Sequence, residues 1–185
     1  METPKKDLLI KLSPFLKTDF SKLISWVDSE ETMVQFAGTY FSFPLTETQL
    51  EQYLKDKNRF VYKVVHTLTK TAIGHAEIFF TYPTAILCRI MIGEKEYRGR
   101  GIGQQIMNAL LEISFVQLGA LKAILNVYDW NITAIRCYQK VGFAIDPDKL
   151  KASQVNGKAW TPLSMSIDKL TWSNLKQSYK TTPRK

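Results

Sequence analysis

Cysteine is scarce in this 185-residue chain, and long apolar runs are missing altogether. Its two cysteines, Cys88 and Cys137, have no spacing typical of metal ligands, so we expect two reduced thiols, no metal site and a cytoplasmic location. No segment approaches the roughly 18 consecutive apolar residues of a membrane-spanning helix. Residues 1–7 lack the apolar centre of a signal peptide. These absences argue against secretion and against a membrane partner.

Two nucleotide-binding signals are missing as well. The Gly-Lys-Ser/Thr sequence with which a phosphate-binding loop holds a nucleoside triphosphate does not occur. The glycine-rich segment at residues 98–103 is not followed by the acidic residue that holds the ribose in a dinucleotide-binding fold. We therefore expect neither a nucleoside triphosphatase nor an NAD-dependent enzyme.

The chain carries a net charge of +8, and much of the excess follows Asp168, after which there are five Lys or Arg residues and no acid. With 45% apolar and 23% charged residues, the composition is ordinary for one globular domain. We predict a single domain at residues 1–170 and a basic, flexible tail at residues 171–185. Such a tail could contact RNA, but a solvated terminus is the favoured interpretation, and we expect no nucleic-acid partner.

Apolar periodicity predicts an α/β fold, a mixed and mostly antiparallel central sheet with helices on both faces. Helices are expected at residues 19–27, 31–36, 46–57, 103–118 and 132–141, and strands at residues 8–12, 60–67, 70–80, 85–92, 121–127, 144–145 and 162–167. At the start of the third helix, Thr46 and Gln49 fit a capping box, in which each side chain binds the backbone N–H of the other residue.

A glycine-rich segment joins the strand at residues 85–92 to the long helix that follows it. Gly99, Gly101 and Gly103 leave no Cβ to keep a phosphate away from the backbone, and a helix that opens at Gly103 presents unpaired N–H groups to an anion. Arg98 and Arg100 add guanidinium groups that suit phosphate oxygens. The segment predicts a diphosphate site, although the glycines alone are equally consistent with a flexible turn.

A second pattern follows the strand at residues 121–127 and reads Asn131-x-x-Ala134-x-x-x-Tyr138-x-x-x-Gly142-Phe143. Together with Arg98-x-x-Gly101-x-Gly103, it resembles the GNAT superfamily of acetyl-CoA-dependent N-acetyltransferases, specifically over residues 74–143 and only generally outside them. The resemblance implies a GNAT-like fold and acetyl-CoA as the acetyl donor. The cofactor contacts that it implies in the glycine-rich segment are Arg98, Gly99, Arg100, Gly101, Ile102 and Gly103.

The resemblance also implies roles around the cofactor thioester. Tyr138 would lie near the cofactor sulfur and act as an acid toward the departing thiolate, and Asn131 and Ala134 would contact the pantetheine arm. The strand before the glycines is expected to offer backbone groups at Met91 and Ile92. Structural interpretations exist beside these, because Asn131 is also a suitable helix N-cap and Tyr138 a suitable amphipathic core residue.

The general base has two candidates, Glu77 and His75. Many relatives in the resembled family place a catalytic glutamate on the strand that holds Glu77. His75 is two residues earlier, on the same side of that strand, and a histidine titrates near neutral pH. A water molecule is a third possibility for the base. The structural alternative for Glu77 is an ion pair with Arg89 on the adjacent strand.

The predicted activity is transfer of the acetyl group of acetyl-CoA to a primary amine of a small molecule or of a protein N-terminus. The N-terminal half loosely resembles the branch that acetylates ribosomal-protein N-termini, polyamines or amino-sugar-like molecules. A basic protein would favour a neutral or acidic acceptor over a polycation, because like charges repel. The alternatives are a non-catalytic acyl-CoA sensor of the same fold and, least favoured, an RNA-associated protein. The superfamily also suggests a homodimer.

Overall fold

A computed structural model describes residues 9–149, 152–155 and 157–181 of the chain. The helices in these residues are α1 (Phe20–Trp26), α2 (Glu30–Ala37), α3 (Glu47–Tyr53), α4 (Ile102–Glu112), α5 (Ile132–Val141) and α6 (Lys169–Thr181). The strands are β1 (Ile10–Pro14), β2 (Arg59–His66), β3 (Ala72–Thr81), β4 (Thr84–Ile92), β5 (Lys122–Tyr128), β6 (Ala144–Lys149), β7 (Ser153–Val155), β8 (Lys158–Trp160) and β9 (Pro162–Asp168).

Seven of these strands form one sheet in the order β1-β2-β3-β4-β5-β9-β6, and β7 and β8 form a separate hairpin. Within the described part of the chain, β4 and β5 are the parallel pair of this sheet, and its other neighbours are antiparallel. The predicted α/β class with a mixed, mostly antiparallel sheet is thereby confirmed. No helix among the described residues has the length and apolar character needed to cross a membrane.

Two apolar layers enclose the sheet. One contains the inward face of α4, where Ile102, Ile106 and Leu110 recur at helical spacing and are fully buried, together with residues of α5 and α6. The other is formed by α1, α2 and α3 and the segments between them. The middle of β3, residues 73–78, is buried throughout because both faces of that strand are covered.

The C-terminal segment differs from the predicted flexible tail over the residues that the structure describes. Helix α6 crosses the boundary expected between residues 170 and 171. The Trp172 ring lies 5.2 Å from that of Phe115, and Leu175 packs against the same core. These two apolar side chains, spaced by three residues, anchor the helix despite its basic composition. Residues 182–185 of the predicted tail and Leu8 of the predicted first strand lie outside the described residues.

Two local predictions need correction. The long helix predicted at residues 103–118 is an α-helix only to Glu112 and continues as a π-helical turn over Ile113–Gln117. The capping box is only half formed: the Thr46 side chain accepts a hydrogen bond from the Gln49 N–H, but the Gln49 amide binds backbone groups of Ser42 and Pro44. The loop before α3 folds back over the helix, and its backbone groups compete for that amide.

Candidate active site

An opening lies between β4 and β5. The two strands pair only where Thr84–Ile86 faces Lys122–Ile124, whereas β5 stays paired with β9 as far as Tyr128. Beyond Ile86, β4 therefore turns backbone groups toward a gap rather than toward a neighbouring strand. An extended ligand that carries amide groups can hydrogen-bond along such an edge. Met91 and Ile92, the predicted pantetheine contacts, lie on this part of β4.

A β-bulge in β4 begins shortly after that pairing ends. Opposite β3, His75 faces Met91 and Glu77 faces Cys88, so two steps along β3 correspond to three along β4. Arg89 occupies the bulge with a φ of +50°, a left-handed conformation that is uncommon for a residue other than glycine. A bulge bends its strand and increases the local twist, which widens the gap toward β5.

The glycine-rich loop forms the N-terminal boundary of α4. Gly99 and Gly101 have φ values of +74° and +76°, and a Cβ added at either would meet no atom within 4 Å. Gly101 is the N-cap residue and has no side chain to cover the first N–H groups of α4. The loop thus offers the backbone donors, the helix dipole and the open space that a diphosphate requires.

Gly103 has a different reason to be glycine from the one expected. The helix begins at Ile102 rather than at Gly103, and a Cβ on Gly103 would lie 3.1 Å from the Cys137 sulfur. Gly103 therefore allows α4 to pack closely on α5. This contact joins the glycine-rich loop to the helix that carries Tyr138.

The two arginines of the loop differ in their contacts. The Arg98 Nε donates a hydrogen bond to the Ile92 carbonyl at 2.9 Å, which ties the loop to the end of β4. Arg100 is exposed, with its guanidinium 6.0 Å from the centre of the Tyr97 ring. Arg98 thus helps to shape the loop, and Arg100 presents its charge to solvent beside it.

Helix α5 follows β5 directly and carries the second pattern. The Asn131 side chain accepts a hydrogen bond from the Ala134 N–H at 3.2 Å, which confirms its expected role as N-cap. Tyr138 lies two turns into the helix, half-buried, with its ring 6.3 Å from that of Phe143. Burial raises the pKa of Tyr138 well above that of an ordinary phenol, which is itself protonated at neutral pH, so the hydroxyl stays a hydrogen-bond donor.

Glu77 is fully buried and sits between two arginines. Its carboxylate accepts hydrogen bonds from Arg89 Nη2 at 2.7 Å, from Arg59 Nη1 at 2.6 Å and from the Tyr53 hydroxyl. Burial acts to raise the pKa of Glu77, but the hydrogen bonds and charges of the arginines outweigh it and keep the pKa below its usual value. The ion pair with Arg89 that was the structural alternative for Glu77 is present.

His75 is also fully buried, among aromatic rings. Its ring centre lies 5.0 Å from that of Phe15 and 5.4 Å from that of Phe36. Nδ1 lies 2.8 Å from the Arg89 carbonyl oxygen, which can only accept, so Nδ1 carries the proton. Nε2 has no hydrogen-bond partner among the described residues. Burial lowers the pKa of His75 to about 4, so the ring is neutral at physiological pH.

The structure thus brings His75 and Glu77 together beneath the bulge of β4, inside the protein. Tyr138, Asn131 and the glycine-rich loop belong to the helices next to the opening. Sequence reasoning missed Tyr53 and Arg59 as partners of Glu77. Arg89 within an apolar strand signals a buried counter-charge, and this signal leads to Glu77 but not to Tyr53 or Arg59.

Comparison with known proteins identifies the arrangement. The family model described as "Acetyltransferase (GNAT) family" matches residues 24–143, from α1 to the end of the second pattern. The chain belongs to the GNAT acetyltransferase family. Enzymes of the GNAT family take their acetyl group from acetyl-CoA, and the chain is accordingly an acetyl-CoA-dependent N-acetyltransferase. Among the described residues, no group of His, Cys, Asp or Glu side chains is arranged to hold a metal ion.

Solved GNAT structures share this fold over most of the chain. Spermidine N-acetyltransferase from Vibrio cholerae, in complex with CoA and spermine, superposes with a TM-score of 0.76 at 21% identity, covering 90% of this chain and 99% of that one. A dodecameric structure of a spermidine N-acetyltransferase from the same organism gives a TM-score of 0.73 at 22% identity, covering 90% and 98%. A chimera of the Vibrio cholerae enzyme with hSSAT gives 0.76 at 23% identity, covering 90% and 99%.

Proposed function

We propose that this GNAT enzyme acetylates the primary amine of a small molecule or of a protein N-terminus, with acetyl-CoA bound along the gap between β4 and β5. The observation that carries the proposal is the early end of the β4–β5 pairing at Ile86, next to a bulge and a glycine-rich helix N-terminus. The pantetheine amides would pair with β4 near Met91 and Ile92. The pyrophosphate would bind at residues 98–103, where the loop backbone and Arg100 supply positive potential.

In the reaction, the amine nitrogen attacks the thioester carbonyl carbon, the C–S bond breaks, and CoA leaves as a thiolate. An alkyl amine with a pKa of about 10.4 must first lose a proton, which costs roughly 4–5 kcal/mol at pH 7. Glu77 and His75 stay candidates for that base on sequence grounds. Both are fully buried and hydrogen-bonded beneath β4, so we favour water as the immediate proton acceptor.

Tyr138 would serve the leaving group. Its hydroxyl is protonated at neutral pH, as is that of any phenol with a pKa of about 10, and burial raises its pKa further. An ordinary thiol, with a pKa of about 8.5, is a stronger acid than a phenol. The hydroxyl would therefore stabilise the thiolate chiefly by donating a hydrogen bond. Two protons leave the amine nitrogen, one from the ammonium before attack and one after the C–N bond has formed, and their passage to water balances the charge.

The acceptor class has two opposing indications. The solved neighbours are named as spermidine N-acetyltransferases, which supports a small polyamine as acceptor. The net charge of +8 favours a neutral or acidic acceptor instead. A panel of spermidine, a neutral monoamine and a peptide with a free N-terminus, assayed for CoA release at several salt concentrations, separates these classes.

The cofactor site is tested by calorimetric titration with acetyl-CoA. The Gly101→Glu variant places bulk and negative charge where the pyrophosphate would bind, and we expect it to lose measurable binding. Gly119→Glu is the matched control, because Gly119 also has a positive φ, of +72°, and open space around it, but lies beyond the opposite end of α4. Equal binding by wild type and Gly101→Glu would refute the site.

Turnover distinguishes the enzyme from the sensor. Tight acetyl-CoA binding with no CoA release from any amine of the panel would favour the non-catalytic sensor, for which the burial of both candidate bases is the supporting observation. We further propose a homodimer, to be checked by light scattering with and without acetyl-CoA. The spermidine N-acetyltransferase from Vibrio cholerae has a dodecameric structure, so an assembly larger than a dimer is the alternative outcome.

A further inference from the structure

The bulge in β4 depends on an unfavourable backbone conformation. Arg89 has a φ of +50°, which residues with a Cβ adopt only when their surroundings enforce it. The residue lies three positions past the end of the β4–β5 pairing, on the strand that would carry the thioester. What holds Arg89 in this conformation therefore sets the direction of the backbone groups that face the cofactor.

Two side chains of β3 hold Arg89 at two separate points. His75 Nδ1 donates to the Arg89 backbone carbonyl at 2.8 Å. Glu77 accepts from the Arg89 guanidinium, through Nε and through Nη2, the latter at 2.7 Å. His75 and Glu77 are two residues apart and so project to the same side of β3. Ala76, between them, is the β3 residue that faces the bulge.

Both side chains are themselves fixed from behind. The His75 ring is enclosed by the rings of Phe15 and Phe36, and its exposed fraction is 0%. Glu77 is held by Arg59 and by the Tyr53 hydroxyl in addition to Arg89. The two contacts to Arg89 are therefore made by groups with almost no freedom to move.

We propose that His75 and Glu77 are positioning residues: they clamp the carbonyl and the guanidinium of Arg89, and thereby aim the backbone N–H groups of the β4 bulge at the thioester carbonyl of acetyl-CoA. This inference rests on the proposed function, since it presupposes the cofactor in the gap between β4 and β5. An N–H donor at that place stabilises the oxyanion that forms when the amine attacks. The His-x-Glu pair thus acts on the reaction through the backbone, without contact with the acceptor.

Variants of His75 distinguish the positioning role from a role as general base and from simple core packing. In His75→Asn the amide nitrogen takes the place of Nδ1 and can still donate to the Arg89 carbonyl, whereas in His75→Gln the amide lies one atom further out. We expect His75→Gln to lower kcat by about 10²-fold, the loss typical of a misplaced reacting group, with the Kd for acetyl-CoA little changed. His75→Asn should recover most of that kcat and keep the wild-type pH profile.

Other results would overturn the proposal. If His75 is the general base, both variants lose kcat and the acidic limb of the pH–rate profile. If His75 is only packing, both variants lose thermal stability while a folded sample of either keeps the wild-type kcat. An equal kcat for His75→Gln and His75→Asn, in folded protein, contradicts the clamp in either case.

A measurement without substrate keeps the clamp distinguishable from the proposed function. In ¹⁵N-detected NMR of the intact protein, His75 should show a proton on Nδ1, an unprotonated Nε2, and no titration between about pH 5 and 8. A proton on Nε2 would overturn the clamp even in an active enzyme. Conversely, a protonated Nδ1 in a protein that acetylates no amine would leave the clamp standing and refute only the proposed function.

Discussion

Removing the charge of Glu77 while keeping its shape should destabilise the protein strongly. In Glu77→Gln, one oxygen can still accept a hydrogen bond, but an NH₂ group replaces the other and meets the donors of Arg59, Arg89 or Tyr53. Arg59 retains Asp56, whose carboxylate lies 3.0 Å from Nε. The Arg89 side chain is only 8% exposed. Among the described residues its ion pair is with Glu77, and the substitution removes that pair.

The expected loss follows from that geometry. Breaking a buried ion pair by neutralising one partner costs about 3–5 kcal/mol. The variant keeps one side-chain oxygen as an acceptor, and Arg59 keeps its contact with Asp56. We therefore expect a loss of unfolding free energy near the lower end of this range, about 3 kcal/mol. For a chain of this length that corresponds to a fall in Tm of about 10 °C. Since a typical domain has about 5–15 kcal/mol of stability, the variant should still fold at 25 °C.

Urea and thermal unfolding followed by circular dichroism measure this change, with Glu51→Gln as the matched control. Glu51 pairs with Lys17 on the surface, and the same substitution there should leave the urea midpoint unchanged within error. A fall in Tm of less than about 3 °C for Glu77→Gln would refute our account of the buried network. The same variant assayed for acetyl transfer addresses the base role, because a full rate at every pH would remove Glu77 from it.

Two further predictions concern pH and the leaving group. His75 has a pKa of about 4 in the folded protein and about 6.5 when unfolded, so the unfolded state binds more protons between these values, and stability should fall by about 3 kcal/mol as the pH drops from 6.5 to 4. Urea midpoints across that range should show a shallower slope for His75→Asn, and an unchanged slope would contradict the buried neutral ring. Tyr138→Phe removes the hydrogen-bond donor to the departing thiolate and should lower kcat by about 10²-fold or more, while the calorimetric Kd for acetyl-CoA stays the same. An unaltered kcat would return Tyr138 to the role of a core residue.

The parts of the site that sequence reasoning predicted are those specified by local spacing. The glycine-rich loop and the N-cap at Asn131 each depend on residues within one turn of each other, so their geometry can be read directly along the chain. The capping box failed for a related reason: Gln49 satisfies the spacing rule, but a loop brought back over α3 offers it competing partners. Local rules hold until tertiary contacts compete with them.

The buried network could not be predicted in the same way. Arg59, Glu77 and Arg89 lie on three neighbouring strands, and their meeting depends on the strand register and on the bulge that shifts it. Helix α6 shows a different failure. The apolar pair Trp172 and Leu175 was visible in the sequence, but the basic composition of the segment favoured a solvated tail. The packing of Trp172 against Phe115, a contact distant in sequence, makes the segment a docked helix instead.

The short pairing between β4 and β5 has a consequence for how the whole molecule holds together. Three residue pairs are the direct seam between the N-terminal half of the sheet, β1 to β4, and the half made of β5, β9 and β6. A cofactor lying in the gap beyond that seam would supply hydrogen bonds that adjacent strands elsewhere supply to each other. The acetyl donor would then also link the two halves of the sheet, and each release of CoA would leave them held by fewer hydrogen bonds.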